Sequence, residues 1–281
     1  MAIYKTLWGA VGSGAPFPNL RTAIPEIAVG GWDGVVVALI AFELDPGIGT
    51  LDELRRLCSD HGLELSVMIH TSGERVDDHL ETMRSDIERA AAARPHHIVC
   101  HGGVDAWSID QAKEFYWDAL VFEAEFGIPV AHETHRSRLL HSPWQAVQVL
   151  EAFSQLKVAL DLSHWVVMSE RLLEDQRAAI DIAAARAIHV DARVGHPQGP
   201  QVPDPRDPAW AHHLVTFESW WENAIGPDVV VVPEYGPPPY LPTAPYTGQP
   251  VADLWEICDW AKDRLRSRYG WKVARTATSG G

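Results

Sequence analysis

The chain has 281 residues, of which 46% are hydrophobic, and its formal net charge is −15 at pH 7. A surface this acidic repels a phosphate backbone, and no run of lysine or arginine offers a basic groove, so we expect no nucleic-acid partner. No apolar run reaches the ~20 residues that span a bilayer, and no signal peptide is recognised, so the sequence predicts a soluble, cytoplasmic protein without membrane contact. The three cysteines are scattered, which indicates neither a disulfide framework nor a CxxC zinc site.

Eight short apolar runs rich in β-branched residues recur along the chain. They lie at 3–9, 34–42, 63–70, 97–101, 128–133, 157–162, 187–192 and 228–234. Because these runs are apolar almost throughout and do not alternate with polar residues, they are typical of strands buried on both faces. Such strands favour a parallel sheet.

Amphipathic stretches with helix-capping signals separate these runs. They lie at 50–62, 75–95, 108–127, 142–154, 170–185, 209–224 and 250–269, with a short first helix expected at 18–30. Ser142 before Pro143 is a helix-start signal, and Gly127 is a helix-stop signal. The unbroken alternation of strand and helix predicts a single-domain α/β fold, a (β/α)8 TIM barrel at 1–272, followed by a flexible tail at 273–281.

Two stretches rich in proline and glycine follow the last two predicted strands, at 193–208 and 235–250. Both are longer than an ordinary turn between strand and helix, which indicates active-site loops. We expect the first of them to cover the site and to close over a substrate.

Six of the apolar runs end in a histidine or an acidic residue. These end residues are His70, His101, Glu133, Asp161, His189 and Glu234. The first five are separated by 31, 32, 28 and 28 residues, about one strand–helix unit each. In a parallel barrel all strands end on the same face, where the active site is built, so these side chains are expected to converge.

Converging carboxylates repel one another and resist burial unless a cation compensates their charge. The ends of the last four strands therefore predict one bound divalent metal ion. Its predicted ligands are Glu133, Asp161, His189 and Glu234. Three carboxylates and one imidazole favour manganese, with magnesium, cobalt, zinc or nickel as alternatives. His164, three residues after Asp161, is either a further ligand or a group that orients one.

Four short motifs close predicted barrel strands and together resemble the xylose-isomerase-like TIM-barrel superfamily. They are HETH (132–135), DLSH (161–164), IHVDAR (188–193) and VPEYG (232–236). That superfamily includes sugar isomerases, ketose 3-epimerases, inosose dehydratases and apurinic-site endonucleases. GWDGV (31–35) also resembles the family's entry into its second strand, although Val36 follows where a glutamate is common.

The resemblance implies roles for individual residues. In such isomerases the glutamates of strands five and eight bind metal and exchange protons with substrate, and Glu133 and Glu234 match them. Asp161 and His189 match the other two metal ligands. The endonuclease branch needs an Asp-x-His pair after strand seven, and residues 193–213 contain none, which counts against DNA repair.

The sequence therefore predicts a divalent-metal isomerase or epimerase that acts on a sugar or related polyhydroxy carbonyl compound by proton transfer through an enediolate. The alternative is a metal-dependent lyase or dehydratase on the same scaffold, similar to inosose dehydratases or carbon-glycoside-cleaving enzymes, with His135 as an extra base. A metal-binding barrel without activity is a third hypothesis. The expected partner is a small-molecule substrate, and homo-oligomer formation stays open. The predicted substrate-binding residues are His70, His101, His135, His164 and Arg193.

Overall fold

The computed structural model describes residues 1–12, 14–43, 45 and 47–278. Eight parallel strands close into a barrel in which each strand pairs with the next along the chain and the last pairs with the first. The strands are β1 Ala2–Thr6, β2 Gly34–Ala38, β3 Glu64–His70, β4 Ile98–His101, β5 Val130–Glu133, β6 Lys157–Leu160, β7 Ala187–Asp191 and β8 Val230–Val232. The predicted TIM barrel is confirmed.

Helices surround the barrel and cover the outer faces of the strands. They are α1 Leu20–Val29, α2 Leu39–Phe42, α3 Leu51–Asp60, α4 Val76–Ala91, α5 Ile109–Phe126, α6 Pro143–Ala152, α7 Leu162–Ser169, α8 Arg177–Ala184, α9 Ala211–Trp221 and α10 Leu254–Thr278. Side-chain caps begin several of them, as at Ser142, whose hydroxyl accepts a hydrogen bond from the Gln145 N–H. No helix within the described residues is long and apolar enough to cross a bilayer.

Two helices are absent from the sequence-based prediction. The run 34–42, predicted as one strand, ends its strand at Ala38 and turns directly into α2, because an apolar run by itself does not separate strand from helix. Helix α7 follows Asp161, whose side chain accepts a hydrogen bond from the Ser163 N–H at 2.8 Å and so caps it. The last helix extends to Thr278 and includes residues 273–278 of the predicted tail, whereas 279–281 lie outside the described residues.

The core has two layers, one between strands and helices and one inside the barrel. The apolar residues of the inner layer are Tyr4, Val36, Met68, Val99, Ala131, Ala159, Val230 and Val232. Because side chains alternate along a strand, the residues two positions beyond these also face the barrel axis. On the later strands those positions hold acidic residues, which brings them to one end of the barrel.

The two proline-rich loops are fastened to each other at that end. The Gln201 Nε2 donates to the Gly236 carbonyl at 3.2 Å, and the Gln201 Oε1 accepts from the Gly236 N–H at 2.7 Å. Gln201 is buried, so neither bond competes with water. The predicted closure of the first loop over a substrate stays a prediction.

Candidate active site

A cavity of about 530 Å³ opens at the carboxyl ends of the strands. Its volume falls within the range of roughly 300–1,000 Å³ that small-molecule sites occupy. Its polar lining residues are Thr6, His70, His101, Glu133, His135, Arg138, His164, Arg193, Glu234 and Tyr240. Of the loop 193–208, Arg193 is the residue that lines this cavity.

Glu133 and Asp161 end adjacent strands and lie together with His164. The His164 Nε2 is 4.0 Å from the Glu133 Oε1 and 3.6 Å from the Asp161 Oδ2. All three side chains are buried. Their donor atoms form one of two groups with the spacing of a metal site among the described residues; the second consists of His101, Glu133 and His135.

Arg193 lies between the carboxylates of the sixth and eighth strands. One guanidinium nitrogen contacts the Asp161 Oδ2 and is 2.9 Å from the His164 Nε2. Another is 3.2 Å from the Glu234 Oε2, and the Nε donates to the Ser163 hydroxyl at 3.1 Å. Arg193 is therefore a fixed buried cation of the site, and it forms ion pairs with Asp161 and Glu234.

His189 lies apart from the other three predicted metal ligands. Its Nε2 is 2.9 Å from the Asp191 Oδ1, and its Nδ1 is 2.8 Å from the Nε2 of His97. With both ring nitrogens engaged inside the barrel, it offers no free lone pair at the cavity. The register shift between β6 and β7 contributes to this placement, because it changes which residue of β7 stands level with the end of β6.

Asp191, two residues after His189, ends the seventh strand. It is 1% exposed, and its Oδ2 has no hydrogen-bond partner in the described part of the chain. In the motif IHVDAR, His189, Asp191 and Arg193 are two residues apart, so their side chains are expected on the same face of the strand. A buried carboxylate oxygen without a partner is costly, which makes it a natural ligand for a cation.

The sequence of this barrel matches one family model over most of its length. Residues 26–217 match the family described as xylose isomerase-like TIM barrel. The chain belongs to this family. The resemblance inferred from the strand-end motifs is thereby confirmed, whereas no protein of curated function matches the chain in sequence.

Solved structures share the whole fold of this xylose isomerase-like barrel. The IOLI protein with a bound zinc atom is 14% identical with a TM-score of 0.65, and the match covers 98% of this chain and 99% of that one. A D-tagatose 3-epimerase-like protein is 14% identical with a TM-score of 0.64, over 99% and 100%. The probable 3-DHS dehydratase AsbF from Bacillus anthracis is 12% identical with a TM-score of 0.62, over 95% and 99%. At these identities the likeness shows the fold alone.

Four imidazoles form a row along the mouth of the barrel in this protein. The ring centroids of His70 and His101 are 4.3 Å apart, those of His101 and His135 are 4.6 Å apart, and those of His135 and His164 are 3.8 Å apart. Burial lowers the pKa of His70 and of His101 to about 3, and it holds the pKa of the other two well below the usual value. The row is therefore neutral near pH 7, and the structure brings all four predicted histidines to the cavity.

The carboxylates of the site carry more negative charge than Arg193 neutralises. Burial, followed by repulsion from Asp191, raises the pKa of Glu133 and of Glu234 well above the ordinary value. Burial also raises the pKa of Asp161 to about 6, although the Arg193 guanidinium opposes this shift. Four carboxylates facing one guanidinium need either bound protons or a further cation. The residues therefore fit the divalent metal that was predicted from the sequence.

Proposed function

We propose that this protein is a divalent-metal-dependent isomerase or epimerase that acts on a polyhydroxy carbonyl compound. One observation carries the proposal: the buried carboxylates of Glu133, Asp161, Asp191 and Glu234 converge beside a small-molecule cavity with a single arginine among them. Burying several ionised carboxylates together costs free energy, because each of them loses its hydration and no equal positive charge compensates it. Sites of this kind bind cations or move protons.

Glu133, Asp161 and His164 would hold the metal, with the unpartnered oxygen of Asp191 as a further donor. This mainly oxygen donor set supports manganese first and magnesium, cobalt, zinc or nickel as alternatives. When bound, such an ion polarises a substrate carbonyl and makes the neighbouring C–H bond more acidic.

Glu133 and Glu234 are the proposed proton donors and acceptors. They belong to strands five and eight, and both line the cavity. Burial and repulsion from neighbouring carboxylates raise the pKa of both groups, so the pair, and not either residue alone, would set the pH profile of proton transfer. The neutral row of imidazoles and the charged Arg193 would bind and orient substrate oxygens beside them.

A metal-dependent lyase or dehydratase is the second candidate, and His135 supports it. The His135 Nδ1 contacts the Arg136 carbonyl, which leaves the Nε2 as the proton-accepting nitrogen. His135 also lines the cavity, and burial keeps its imidazole neutral by lowering its pKa. A neutral histidine two residues after Glu133 fits the base that removes a proton before water is lost.

The test combines metal analysis with exchange in deuterated water. We expect about one equivalent of divalent metal in gently purified protein, and deuterium on the product carbon when a panel of ketoses, keto-glycosides and inososes is supplied. Glu133→Gln and Glu234→Gln should each slow exchange by about 10²-fold or more. Glu123→Gln, which removes a carboxylate that contacts His132 on the outer face of β5, is the matched control and should not change the exchange rate.

Two outcomes would contradict the proposal. The first is a protein that cannot be loaded with any of the five metals. The second is product without deuterium from an active Glu→Gln variant, because proton transfer through a carboxylate exchanges with solvent. A product that has lost the mass of water would favour the lyase over the isomerase.

A further inference from the structure

We propose that the side of the cavity opposite the carboxylates binds an uncharged aromatic group, so that the substrate joins an aromatic ring to its polyhydroxy carbonyl part. The identity of the polyhydroxy part rests on the proposed function, whereas the aromatic subsite does not. The residues that form this subsite, here called the apolar wall, are Leu7, Val36, Ala38, Ile40, Phe42 and Met68.

The apolar wall comes from the first three strands and from α2. Strand β2 contributes Val36 and Ala38, which face the barrel interior, and α2 begins at the next residue and adds Ile40 and Phe42. Ala38 ends β2 as Glu133 ends β5 on the other side of the barrel. The same end of one barrel is therefore charged on one side and apolar on the other.

A substrate made of hydroxylated carbons alone does not match this wall. Its hydroxyl groups would lose water on entering the cavity and would find no hydrogen-bond partner on Val36, Ala38 or Met68, which costs free energy. A charged group of the substrate would also lose its hydration at the wall. It would find no charged partner there, because Arg138 and Arg193 belong to the polar side of the cavity. The part of the substrate that lies here is therefore uncharged and lacks hydroxyl groups.

Aromatic side chains at the boundary between the two sides favour a ring over an aliphatic chain. Trp8 and Tyr240 meet edge to face with ring centroids 4.8 Å apart, and both line the cavity. The Arg193 Cζ is 5.9 Å from the Trp8 ring and 5.2 Å from the Tyr240 ring. An aromatic ligand beside this pair gains edge-to-face contacts, and Met68 offers a thioether, which also contacts aromatic rings favourably.

The wall is also partly exposed to solvent at its rim. Ile40 is 63% exposed and Trp8 is 38% exposed at the rim, although both are large and apolar. An apolar rim that continues into a cavity is typical of a binding site, because a bound ligand removes its surface from water. The exposed rim also leaves room for substituents on the ring.

The test uses small probes that need neither the metal nor the sugar. Benzyl alcohol and cyclohexylmethanol have the same number of heavy atoms, and myo-inositol represents a polyhydroxy ring without apolar surface. Each is titrated into metal-free protein labelled with ¹⁵N-tryptophan, and the Trp8 indole signal is assigned with Trp8→Phe. We expect benzyl alcohol to bind at millimolar concentration, to shift the Trp8 signal, and to bind at least about threefold more tightly than cyclohexylmethanol.

A matched pair of variants locates the binding. Ile40→Ser should weaken benzyl alcohol binding about threefold or more, whereas Val29→Ser, which changes an exposed apolar residue on α1 outside the cavity, should leave it unchanged. Preference for cyclohexylmethanol would overturn the aromatic assignment. The subsite itself would be overturned if benzyl alcohol did not shift the Trp8 indole signal. It would also be overturned if Ile40→Ser left benzyl alcohol binding unchanged. Neither result depends on metal loading or deuterium exchange, so failure of the proposed function remains separately visible.

Discussion

The two sides of the barrel mouth use the same backbone positions for opposite purposes. Strands five to eight bring Glu133, Asp161, Asp191 and Glu234 to their carboxyl ends, whereas strands one and two end in Thr6 and Ala38, which line the cavity. The parallel barrel supplies equivalent strand ends, and the side chains alone decide whether an end binds a cation or an apolar surface. Chemistry and recognition are thus separated across one cavity by a difference in sequence and not in fold.

The difference continues below the mouth into the barrel. Asp191 bonds His189, His189 bonds His97, and the His97 Nδ1 bonds the Ser66 hydroxyl at 3.1 Å. Beneath the apolar wall the interior instead holds the packed side chain of Tyr4. The charged side is therefore anchored by a series of buried hydrogen bonds that fix the direction of Asp191, whereas van der Waals packing supports the apolar side.

Arg193→Met should have the largest effect on this comparison, because it removes the cation from the charged side. Asp161 and Glu234 would stay buried without a partner, so we expect a loss of about 3–5 kcal/mol in the free energy of unfolding at pH 8. The loss should be smaller at pH 5, where carboxyls with raised pKa values bind protons. Urea denaturation measures both, with Arg136→Met as the control beside the site. An Arg193→Met protein as stable as wild type would show that the carboxylates are not electrostatically dependent on it.

His97→Phe should reveal the anchoring below the charged side. The substitution keeps the size of the side chain but leaves the His189 Nδ1 and the Ser66 hydroxyl without their partner, so we expect a loss of about 1–3 kcal/mol in the free energy of unfolding. His61→Phe is the control, since His61 is exposed and contacts Leu57 instead of this series. Equal stability of the two variants in chemical denaturation would contradict the anchoring role.

His70→Gln should change the pH dependence of stability. The pKa of His70 is lowered from 6.5 to about 3, chiefly by burial. Below pH 6.5 the unfolded chain therefore binds a proton that the folded state does not, and stability falls as the pH decreases. Between pH 7 and pH 5 wild type should lose about 2 kcal/mol more than His70→Gln in the free energy of unfolding. The exposed His61 provides the control His61→Gln, and parallel pH profiles for wild type and His70→Gln would refute this expectation.

Ile40→Ser should have the smallest effect on folding. Because Ile40 is 63% exposed, its loss should change the free energy of unfolding by less than about 0.5 kcal/mol, which thermal denaturation measures. Stability close to wild type together with weakened benzyl alcohol binding would separate the recognition role of the apolar wall from a structural one. A large loss of stability would instead show that Ile40 belongs to the core.

Much of the fold and part of the site followed from the sequence alone. Apolar runs at regular intervals, each followed by an amphipathic helix, leave the closed parallel barrel as the arrangement that buries both strand faces. The order of the strands then brings Glu133, Asp161 and Glu234 to one end, because parallel strands end on the same face. The same rule brings His70 and His101 to that end, because they close the third and fourth strands.

The tertiary structure decided the features that depend on register and on contacts between distant residues. The irregular register between β6 and β7 and the contacts of His189 with Asp191 and His97 depend on how the strands pair, so the sequence did not show that both ring nitrogens of His189 are engaged inside the barrel. The pairing of Arg193 with Asp161, 32 residues earlier, required the strands to be in place. The apolar wall was hidden as well, since the turn from β2 into α2 lies inside one continuous apolar run whose periodicity favours neither strand nor helix.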